Sequence, residues 1–342
     1  MFSSRTLLVA VAAALALGVS GCSDDSSGSG TEDADLTVYS GRSEEQVGEL
    51  ISRFEEESGY SVSVRYGDTA ELAVQLLEEG DASPADVFWA QDAGALSAVN
   101  EAGLFVELPA ATLKKAPKAF QAPDGRWVGT SARARVYVYD PAQIDEADLP
   151  TNVLDVAGEE WADKVAIAPT NASFQAFVTA LRQSEGEDVA RQWLTDLKAN
   201  GATAYESNVL ILDAVDAGEV PYGLINHYYW FQKEAEVGTE AMNAQIGFFE
   251  PGDAGALVNV AGVGILQGGA ENSGSQEFVD FLLSDESQQY TVEVSSEYPI
   301  VDGIQPEAGL PALDELQGPD IALTELADLE GTLELLTETG WI

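Results

Sequence analysis

The stretch LTVYSGRSEEQVGELISRFEEESGYSVSVRY, residues 36–66, decides the fold class. It opens with an apolar run and closes, after Gly59, in a segment whose apolar and polar residues alternate. Between these two segments, apolar residues lie three and four positions apart, at Val47, Leu50, Ile51 and Phe54. The spacings predict a strand, an amphipathic helix and a second strand. Ser43 and Gln46 have the spacing of a capping box, which predicts a helix that begins there and runs through Glu57.

The same alternation continues outward from this unit. Further strands are predicted at 85–89, 135–139, 165–168, 222–225 and 257–266. Further helices are predicted at 68–77, 92–102, 173–184, 187–200, 210–217, 276–284, 287–294 and 328–340. Strands that alternate with helices at this spacing predict an α/β fold built on a parallel sheet. In such sheets, ligands bind beyond the carboxyl ends of the strands.

The first residues predict an exported, lipid-anchored protein. Arg5 and the apolar run 7–19 have the form of a signal peptide, here residues 1–21. As a helix, this run reaches about 20 Å, less than the roughly 30 Å of a bilayer core. The small residues before Cys22 resemble the lipobox of bacterial lipoproteins, so we expect Cys22 to be lipidated and 22–35 to be a flexible tether. The expected membrane contact is this anchor alone, on the outer face of the cytoplasmic membrane.

Charge and residue types argue against several function classes. The net charge of −44 would repel nucleic acid, and its spread along the chain is typical of a solvated acidic surface. The single cysteine allows no internal disulfide. The one histidine, His227, directly precedes two tyrosines, and the sequence has no G-x-S-x-G, P-loop or H-E-x-x-H motif. These features argue against an enzyme and favour a binding protein.

The segment Asn226-His227-Tyr228-Tyr229-Trp230 follows a predicted strand. Such an aromatic run is either a buried cluster or part of a site. The functional interpretation is a metal site, because hard cations prefer oxygen donors and a bound cation favours the ionised phenol. Two adjacent tyrosines in a strand would point to opposite faces. At the start of a helix their directions differ by roughly 100°, and both can reach one ion.

Eight segments, spread over nearly all of residues 36–342, carry a family resemblance. They are LTVYSGRSEE, GDTAELA, ASPADVFWAQD, SARARVYVYD, GEVPYGLINHYYW, PGDAGALVNVAG, SSEYP and EGTLELL. Together they resemble the bacterial periplasmic ferric-ion-binding proteins, the substrate-binding components of iron ABC transporters. The resemblance implies a monomer with a two-lobed periplasmic-binding-protein (Venus-flytrap) α/β fold. The implied parts are lobe 1 at 36–134 plus 260–309, lobe 2 at 135–259 plus 310–342, and two hinge crossover strands near 133–139 and 258–262.

The resemblance also implies a metal site. The family's paired tyrosine ligands match Tyr228 and Tyr229, which would bind Fe(3+). Some members add a His after the first strand and a Glu after the third, where this chain has Ser43 and Gln91. We therefore expect Gln91 or its neighbour Asp92 as a further metal ligand. Asp92 would equally suit the start of a helix, where the dipole favours a carboxylate.

The resemblance further implies that a synergistic anion, phosphate or carbonate, is bound. The residues that match its site are Asn171, Ala172, Ser173, Asn208 and Asn226. A turn that opens a helix presents backbone amides and hydroxyls to an anion, although a plain N-cap is the alternative. Because these donors are neutral, two phenolates and the anion would balance the ferric charge without an arginine. We therefore expect Arg133 and Arg135 to be structural ion-pair partners. For His227 the two interpretations are a metal ligand and a structural residue beside the tyrosine pair, and we expect the structural role.

The implied function is an extracytoplasmic substrate-binding lipoprotein. It would capture ferric iron with its anion in the cleft and deliver it to an ABC permease. The alternative is a binding protein for a small organic solute or a phosphorus oxyanion. That protein would use Trp89, Trp230 and the tyrosines as the wall of its site.

Overall fold

The first strand of the described chain begins directly after Asp35. A computed structural model gives the structure and describes residues 34–342. The predicted signal peptide and the predicted lipid anchor at Cys22 lie outside the described residues. The Asp35 carboxylate, at the end of the predicted tether, accepts hydrogen bonds from the Ser61 amide and hydroxyl at 3.0 and 2.8 Å. This end of the predicted tether is therefore attached to the fold.

In residues 34–342 the chain forms nine strands and eleven α-helices. The strands are β1 (Leu36–Ser40), β2 (Val62–Tyr66), β3 (Val87–Ala90), β4 (Val128–Tyr139), β5 (Val165–Ile167), β6 (Thr203–Ala204), β7 (Tyr222–Asn226), β8 (Gln245–Gly247) and β9 (Val258–Ile265). The helices are α1 (Glu44–Ser58), α2 (Thr69–Glu79), α3 (Ala93–Glu101), α4 (Ala110–Leu113), α5 (Ala172–Glu185), α6 (Glu187–Ala199), α7 (Asn208–Asp216), α8 (His227–Val237), α9 (Ser273–Leu282), α10 (Asp285–Ser295) and α11 (Leu329–Glu338). None of these helices is long and apolar enough to cross a membrane.

All nine strands belong to one mixed sheet in the order β2-β1-β3-β9-β4-β7-β5-β6, with β8 beside β4. β1 pairs in parallel with β2 and β3, and β5 pairs in parallel with β6 and β7. The middle pairs, β3–β9, β9–β4 and β4–β7, are antiparallel. The predicted α/β class is confirmed, but the prediction of a parallel sheet is correct only for the two ends. In the middle, β4 and β9 are long antiparallel neighbours, and antiparallel strands need no crossover helix between them.

β4 passes from one half of the sheet to the other. Its residues 128–134 pair with β9, and its residues 135–139 pair with β7. All twelve residues of β4 are buried. Only residues 135–139 of this strand were predicted from the sequence, because the polar residues of SARAR interrupt the apolar run that is typical of a buried strand. The lobe boundary predicted between 134 and 135 lies at this change of partner, and the division into lobes stays a prediction.

The ends of the first two helices follow local sequence signals in part. The apolar face of α1 is buried as predicted, at Val47, Leu50, Ile51 and Phe54. Gly59 ends this helix with φ of 79°, a left-handed conformation that glycine adopts without strain. Ser43 is the N-cap, but its side chain makes no capping hydrogen bond, so the predicted capping box is wrong. Asp68 does cap α2, because its carboxylate accepts from the amides of Ala70 and Glu71.

A buried carboxylate ties β4 to two neighbouring segments. Glu297 follows α10 and is fully buried. Arg42, after β1, donates to it at 2.9 Å, the Ser131 hydroxyl donates at 2.5 Å, and Arg133 Nη1 lies 3.9 Å away. Burial alone would raise the pKa of Glu297, but the guanidinium groups lower it below its ordinary value. The charged carboxylate therefore holds the end of β1 and the residues after α10 against the middle of β4.

Replacing Glu297 with Gln is expected to lower the free energy of unfolding by about 3–5 kcal/mol, because Arg42 and Arg133 would stay buried without their counter-charge. Urea unfolding followed by circular dichroism measures the change. The matched control is Glu286→Gln, which removes an exposed partner of Arg53 and should leave the midpoint unchanged. Equal midpoints for Glu297→Gln and the wild type would contradict this role.

Candidate metal centre

A polar cavity lies where β4, β7 and β9 meet the first turns of α3, α5 and α8. Its volume is about 130 Å³. The lining residues are Gln91, Asp92, Arg133, Arg135, Asn171, Ala172, Ser173, Asn226, Tyr228, Tyr229, Leu257 and Asn259. A larger cleft of about 540 Å³ borders the cavity, and the two share Gln91, Asp92, Asn171 and Ala172. Every residue predicted for metal or anion binding lines the cavity, apart from Asn208.

Tyr228 and Tyr229 stand in the first turn of α8, directly after β7. Asn226 is the N-cap of this helix. The centroids of the two phenol rings are 4.2 Å apart, with 37° between the ring planes. The pair thus lies at a helix start, which is the geometry that lets two adjacent tyrosines share one ion. The N-terminus of a helix also favours negative charge, which suits a phenolate.

The Tyr228 phenol holds its proton when no cation is near. Burial raises the pKa of Tyr228 above its ordinary value, and the Tyr229 phenol raises it further, while Arg133 has the opposite effect. A bound cation would reverse this balance, because it favours the ionised phenol. Binding of a cation at this pair therefore has to displace a proton.

His227 is fully buried behind the tyrosine pair. Its Nδ1 accepts the Ala134 amide hydrogen at 3.1 Å, so the neutral ring carries its proton on Nε2, which donates to the Ser296 carbonyl at 2.9 Å. Burial lowers the pKa of His227 to about 4, so the ring is neutral near pH 7. Both ring nitrogens are engaged by the protein. This geometry agrees with the structural role predicted for His227, which fixes the start of α8 to β4.

Gln91 and Asp92 reach the cavity from the end of β3, but each has an oxygen already in use. The Gln91 side-chain oxygen accepts from Arg42 at 2.8 Å. Asp92 is the N-cap of α3, and its carboxylate accepts from the Ala95 amide at 3.0 Å. Burial raises the pKa of Asp92. The helix-start role of Asp92 is therefore present, and metal ligation by Gln91 or Asp92 stays a prediction. Ser43 is not among the lining residues.

Asn171, Ala172 and Ser173 form the turn that begins α5. The Asn171 side-chain oxygen accepts from the Ser173 amide at 3.0 Å and from its hydroxyl at 2.6 Å. Asn208 donates to the Asn171 side-chain oxygen at 3.0 Å and to the Ser173 hydroxyl at 3.1 Å. Asn208 is fully buried behind the turn. It supports the cavity wall, and the structure does not bring it to the cavity surface.

Three further polar residues, which were not predicted as site residues, line the cavity. Arg133 and Arg135 are two positions apart on β4, so they point to the same face of the sheet. The strand pairing sets Arg133 opposite Asn259 of β9 and Arg135 opposite Asn226 of β7. Residues that lie directly opposite each other share a face. Two arginines on one face of an otherwise apolar strand are the sequence signal that could have identified Arg133 and Arg135 as cavity residues.

Arg135 has no acidic partner among residues 34–342. Its hydrogen-bond acceptors are all neutral oxygens, namely the Ser173 hydroxyl at 3.3 Å, the Asn208 amide at 3.3 Å, the Asn226 amide at 3.5 Å and the Leu224 carbonyl at 2.9 Å. Burial lowers the pKa of Arg135 to about 9, which leaves the guanidinium charged near pH 7. The expectation of structural ion pairs is therefore correct for Arg133, which pairs with Glu297, and wrong for Arg135.

The cavity combines potential anionic oxygen donors with fixed positive charge. In the part of the chain that the structure describes, no three His, Cys, Asp or Glu side chains come together as a metal site. The phenols of Tyr228 and Tyr229 are therefore the principal candidates for metal ligands. Amides and guanidinium groups on the same cavity favour an anion. The sheet with its long middle strands and the cavity between its halves define a solute-binding protein.

Comparison with known proteins places this chain in a family. Residues 82–316 match the family described as bacterial extracellular solute-binding protein. The Fe(3+)-binding periplasmic protein of Serratia marcescens is 35% identical over 309 residues, which cover 90% of this chain and 91% of the relative. The crystal structure of iron-bound HitA from Pseudomonas aeruginosa is 35% identical with a TM-score of 0.82, and the match covers 89% of this chain and 99% of HitA.

A third similar protein is the Trichodesmium protein IdiA (FutA) in complex with iron and citrate ligands. It is 26% identical with a TM-score of 0.76, and the match covers 90% of this chain and 99% of that one. The chain therefore belongs to the bacterial extracellular solute-binding protein family, in the group that contains these iron-binding relatives. The predicted two-lobed α/β fold is confirmed by these structures. The relatives are solute-binding proteins, which confirms the prediction of a binding protein and not an enzyme.

Replacing His227 with Gln is expected to remove part of the pH dependence of stability. The pKa of His227 is about 4 in the folded chain, below its ordinary value of 6.5. Between these values the unfolded chain binds more protons, so wild-type stability falls as pH falls through this window. The share due to His227, from about pH 7 to about pH 4.5, is about 2–3 kcal/mol.

Urea unfolding of the wild type and of His227→Gln at the two pH values gives the change in the free energy of unfolding with pH for each protein. The difference between the two changes is the contribution of His227. Gln can replace both hydrogen bonds of the ring but does not titrate. Exposed Gln289→Ala is the control and should keep the wild-type slope. Equal slopes for the wild type and His227→Gln would contradict the assignment.

Proposed function

We propose that this protein captures ferric iron at Tyr228 and Tyr229, outside the cytoplasm, and delivers it to an ABC permease. The observation that carries the proposal is the phenol pair at the start of α8, on one cavity with the first turn of α5. Ferric iron is a hard cation, and phenolate is a strong anionic oxygen donor. The relatives named for Fe(3+) binding, or solved with iron, support this choice of metal.

Capture exchanges phenolic protons for iron. The buried Tyr228 phenol keeps its proton until the cation arrives, so weakly bound cations that cannot displace the proton are excluded. The N-terminus of α8 then stabilises the phenolates that form. Selectivity for ferric iron over the many cations attracted by a net charge of −44 would thus come from the phenolates and not from the protein's field.

Exogenous oxygen donors complete the coordination. The turn Asn171–Ser173 lies on the same cavity and would hold a synergistic anion through the backbone amides at the start of α5. Asn226 lines the wall beside it, and Asn208 supports it from behind. Phosphate and carbonate are the anions that the family resemblance implies. Gln91 and Asp92 come from the other half of the sheet and are the proposed protein donors beyond the tyrosines.

Delivery would use a change in the angle between the two proposed lobes. The cavity is built by segments from both halves of the sheet, so iron bound there would hold the halves together. A permease can distinguish the closed, loaded form from the open form by shape. The proposed hinge comprises β4, which changes its partner from β9 to β7, and the first residues of β9.

A lipid on Cys22 would keep the carrier at the membrane. The proposed tether of 22–35 holds no aliphatic residue larger than alanine. A short flexible linker gives an effective concentration on the order of millimolar at its target. The anchor would then raise the rate of encounter with the permease as well as fix the location.

The organic-solute alternative has less support from the cavity. It requires Trp89 and Trp230 as walls, but neither lines the cavity. Trp89 is buried and donates to the Thr130 hydroxyl at 3.1 Å, and Trp230 donates to the Ala244 carbonyl at 2.9 Å. Both indole N–H groups thus donate to acceptors within the protein.

Wild-type protein loaded with ferric iron and phosphate is expected to show a tyrosinate-to-iron charge-transfer band in the visible spectrum. Tyr228→Phe with Tyr229→Phe should abolish the band and weaken binding by more than the roughly 100-fold typical of lost second-shell partners. Tyr60→Phe is the matched control, because Tyr60 bonds Ser273 and neither residue is among those that line the cavity. A colourless wild type that gains stability from a small organic solute instead would favour the alternative.

Cys22→Ser is expected to release the protein from the membrane. Lipidation needs the thiol, and without an acyl chain nothing else in the chain is predicted to hold a membrane. The measurement is detergent phase partitioning of the protein expressed in a bacterial host, together with incorporation of labelled fatty acid. A Ser variant that still partitions with detergent and carries label would contradict the proposed anchor.

A further inference from the structure

Positive charge is concentrated beside the cavity, although the whole chain carries −44. Arg42, Arg133 and Arg135 are each no more than 5% exposed. Glu297 pairs with the first two, at 2.9 and 3.9 Å, and Arg135 pairs with no carboxylate in residues 34–342. A buried charge without a counter-charge is costly, so such a group points to a ligand that supplies the charge.

Both cavity arginines keep unused donors. Arg135 Nε and Arg133 Nη1 are buried and have no hydrogen-bond acceptor within residues 34–342. A guanidinium presents five N–H donors in a planar fork that matches the oxygens of a carboxylate or phosphate. The neutral oxygens around Arg135, from Ser173, Asn208 and Asn226, orient the group but do not neutralise it.

Asp92 does not cancel this positive charge. It is the one acidic residue among those lining the cavity. Its carboxylate is the N-cap of α3. Its single charge would offset only the excess positive charge of Arg42 and Arg133 over Glu297, and not that of Arg135. Ferric iron held by two phenolates would carry one remaining positive charge, and Arg135 would add another. A monovalent anion would leave the loaded site positive, whereas an anion with two or more negative charges would neutralise it.

We propose that Arg135, assisted by Arg133, is the charged anchor of the anion site and selects oxyanions that carry two or more negative charges. This inference rests on the proposed function, since it concerns the anion of the same site, and it replaces the earlier expectation that neutral donors alone hold that anion. Phosphate and polycarboxylates belong to this chemical class. The 540 Å³ cleft beside the cavity provides room for an anion larger than phosphate.

The test is anion titration of the protein without iron, by calorimetry and thermal unfolding. Sulfate, phosphate and citrate are compared with nitrate and chloride at matched ionic strength. The multivalent anions should bind and raise the melting temperature, and the monovalent anions should not. Arg135→Gln should weaken multivalent binding by about tenfold to a hundredfold, the usual effect of losing a charged hydrogen bond.

Two controls separate charge from structure. Arg53→Gln removes an exposed arginine on α1, away from the cavity, and should titrate like the wild type. Arg135→Lys keeps the charge but not the fork, so it should bind multivalent anions more tightly than Arg135→Gln and more weakly than the wild type. In chloride alone, Arg135→Gln should melt no lower than the wild type, because it removes a buried charge that has no counter-charge.

Equal multivalent-anion affinity in the wild type and Arg135→Gln would overturn the proposal, and so would nitrate binding as tightly as sulfate. The wild-type titrations decide the charge selectivity even where a variant does not fold. Because no iron is present, the result is independent of the tyrosine test. A wild-type protein that does not bind iron but selects multivalent anions would refute the proposed function alone. A wild-type protein that binds iron but does not select multivalent anions would refute the Arg135 assignment alone.

Discussion

The register of β4 is the constraint on which the rest of the structure depends. This strand pairs with β9 through Ala134 and with β7 from Arg135 onward, so one unbroken strand belongs to both halves of the sheet. Because side chains alternate along a strand, the register puts Arg133 and Arg135 on one face, opposite Asn259 and Asn226. The helix that carries the tyrosine pair follows β7 directly, so the same register also sets the position of the phenols.

Because of this register, the charged groups at the cavity are buried, whereas the acidic residues lie mostly at the surface. The acidic residues are mostly solvated, and salt screens their field beyond roughly 8–10 Å. The arginines of β4 are buried, where screening is weak, and they act at hydrogen-bond distance. A strongly acidic protein would therefore be able to hold the proposed anion in this cavity. In the proposed site the phenols and the guanidinium groups would have complementary roles, because phenols suit a hard cation and guanidinium groups suit an anion that would complete its shell.

Sequence reasoning succeeded where the signal was local. The apolar spacing in α1, the glycine at its end and the tyrosines at the start of α8 all depend on neighbours within one or two turns. It failed where the outcome depended on distant strand pairing. The antiparallel middle of the sheet and the first half of β4 could not be predicted from nearby residues. Polar residues in these strands are buried by segments that are distant in the sequence. Arg135 was assigned an ion pair that the fold does not provide, and Asn208 was placed on a surface that it supports from behind.

The most direct test of the central claim is a crystal structure of the iron-loaded protein, with anomalous diffraction recorded at the iron absorption edge. The expected result is one anomalous peak in contact with the phenolic oxygens of both Tyr228 and Tyr229, and an anion that bridges this peak and the Arg135 guanidinium. An iron peak outside the cavity, or one that contacts neither phenol, would contradict the claim.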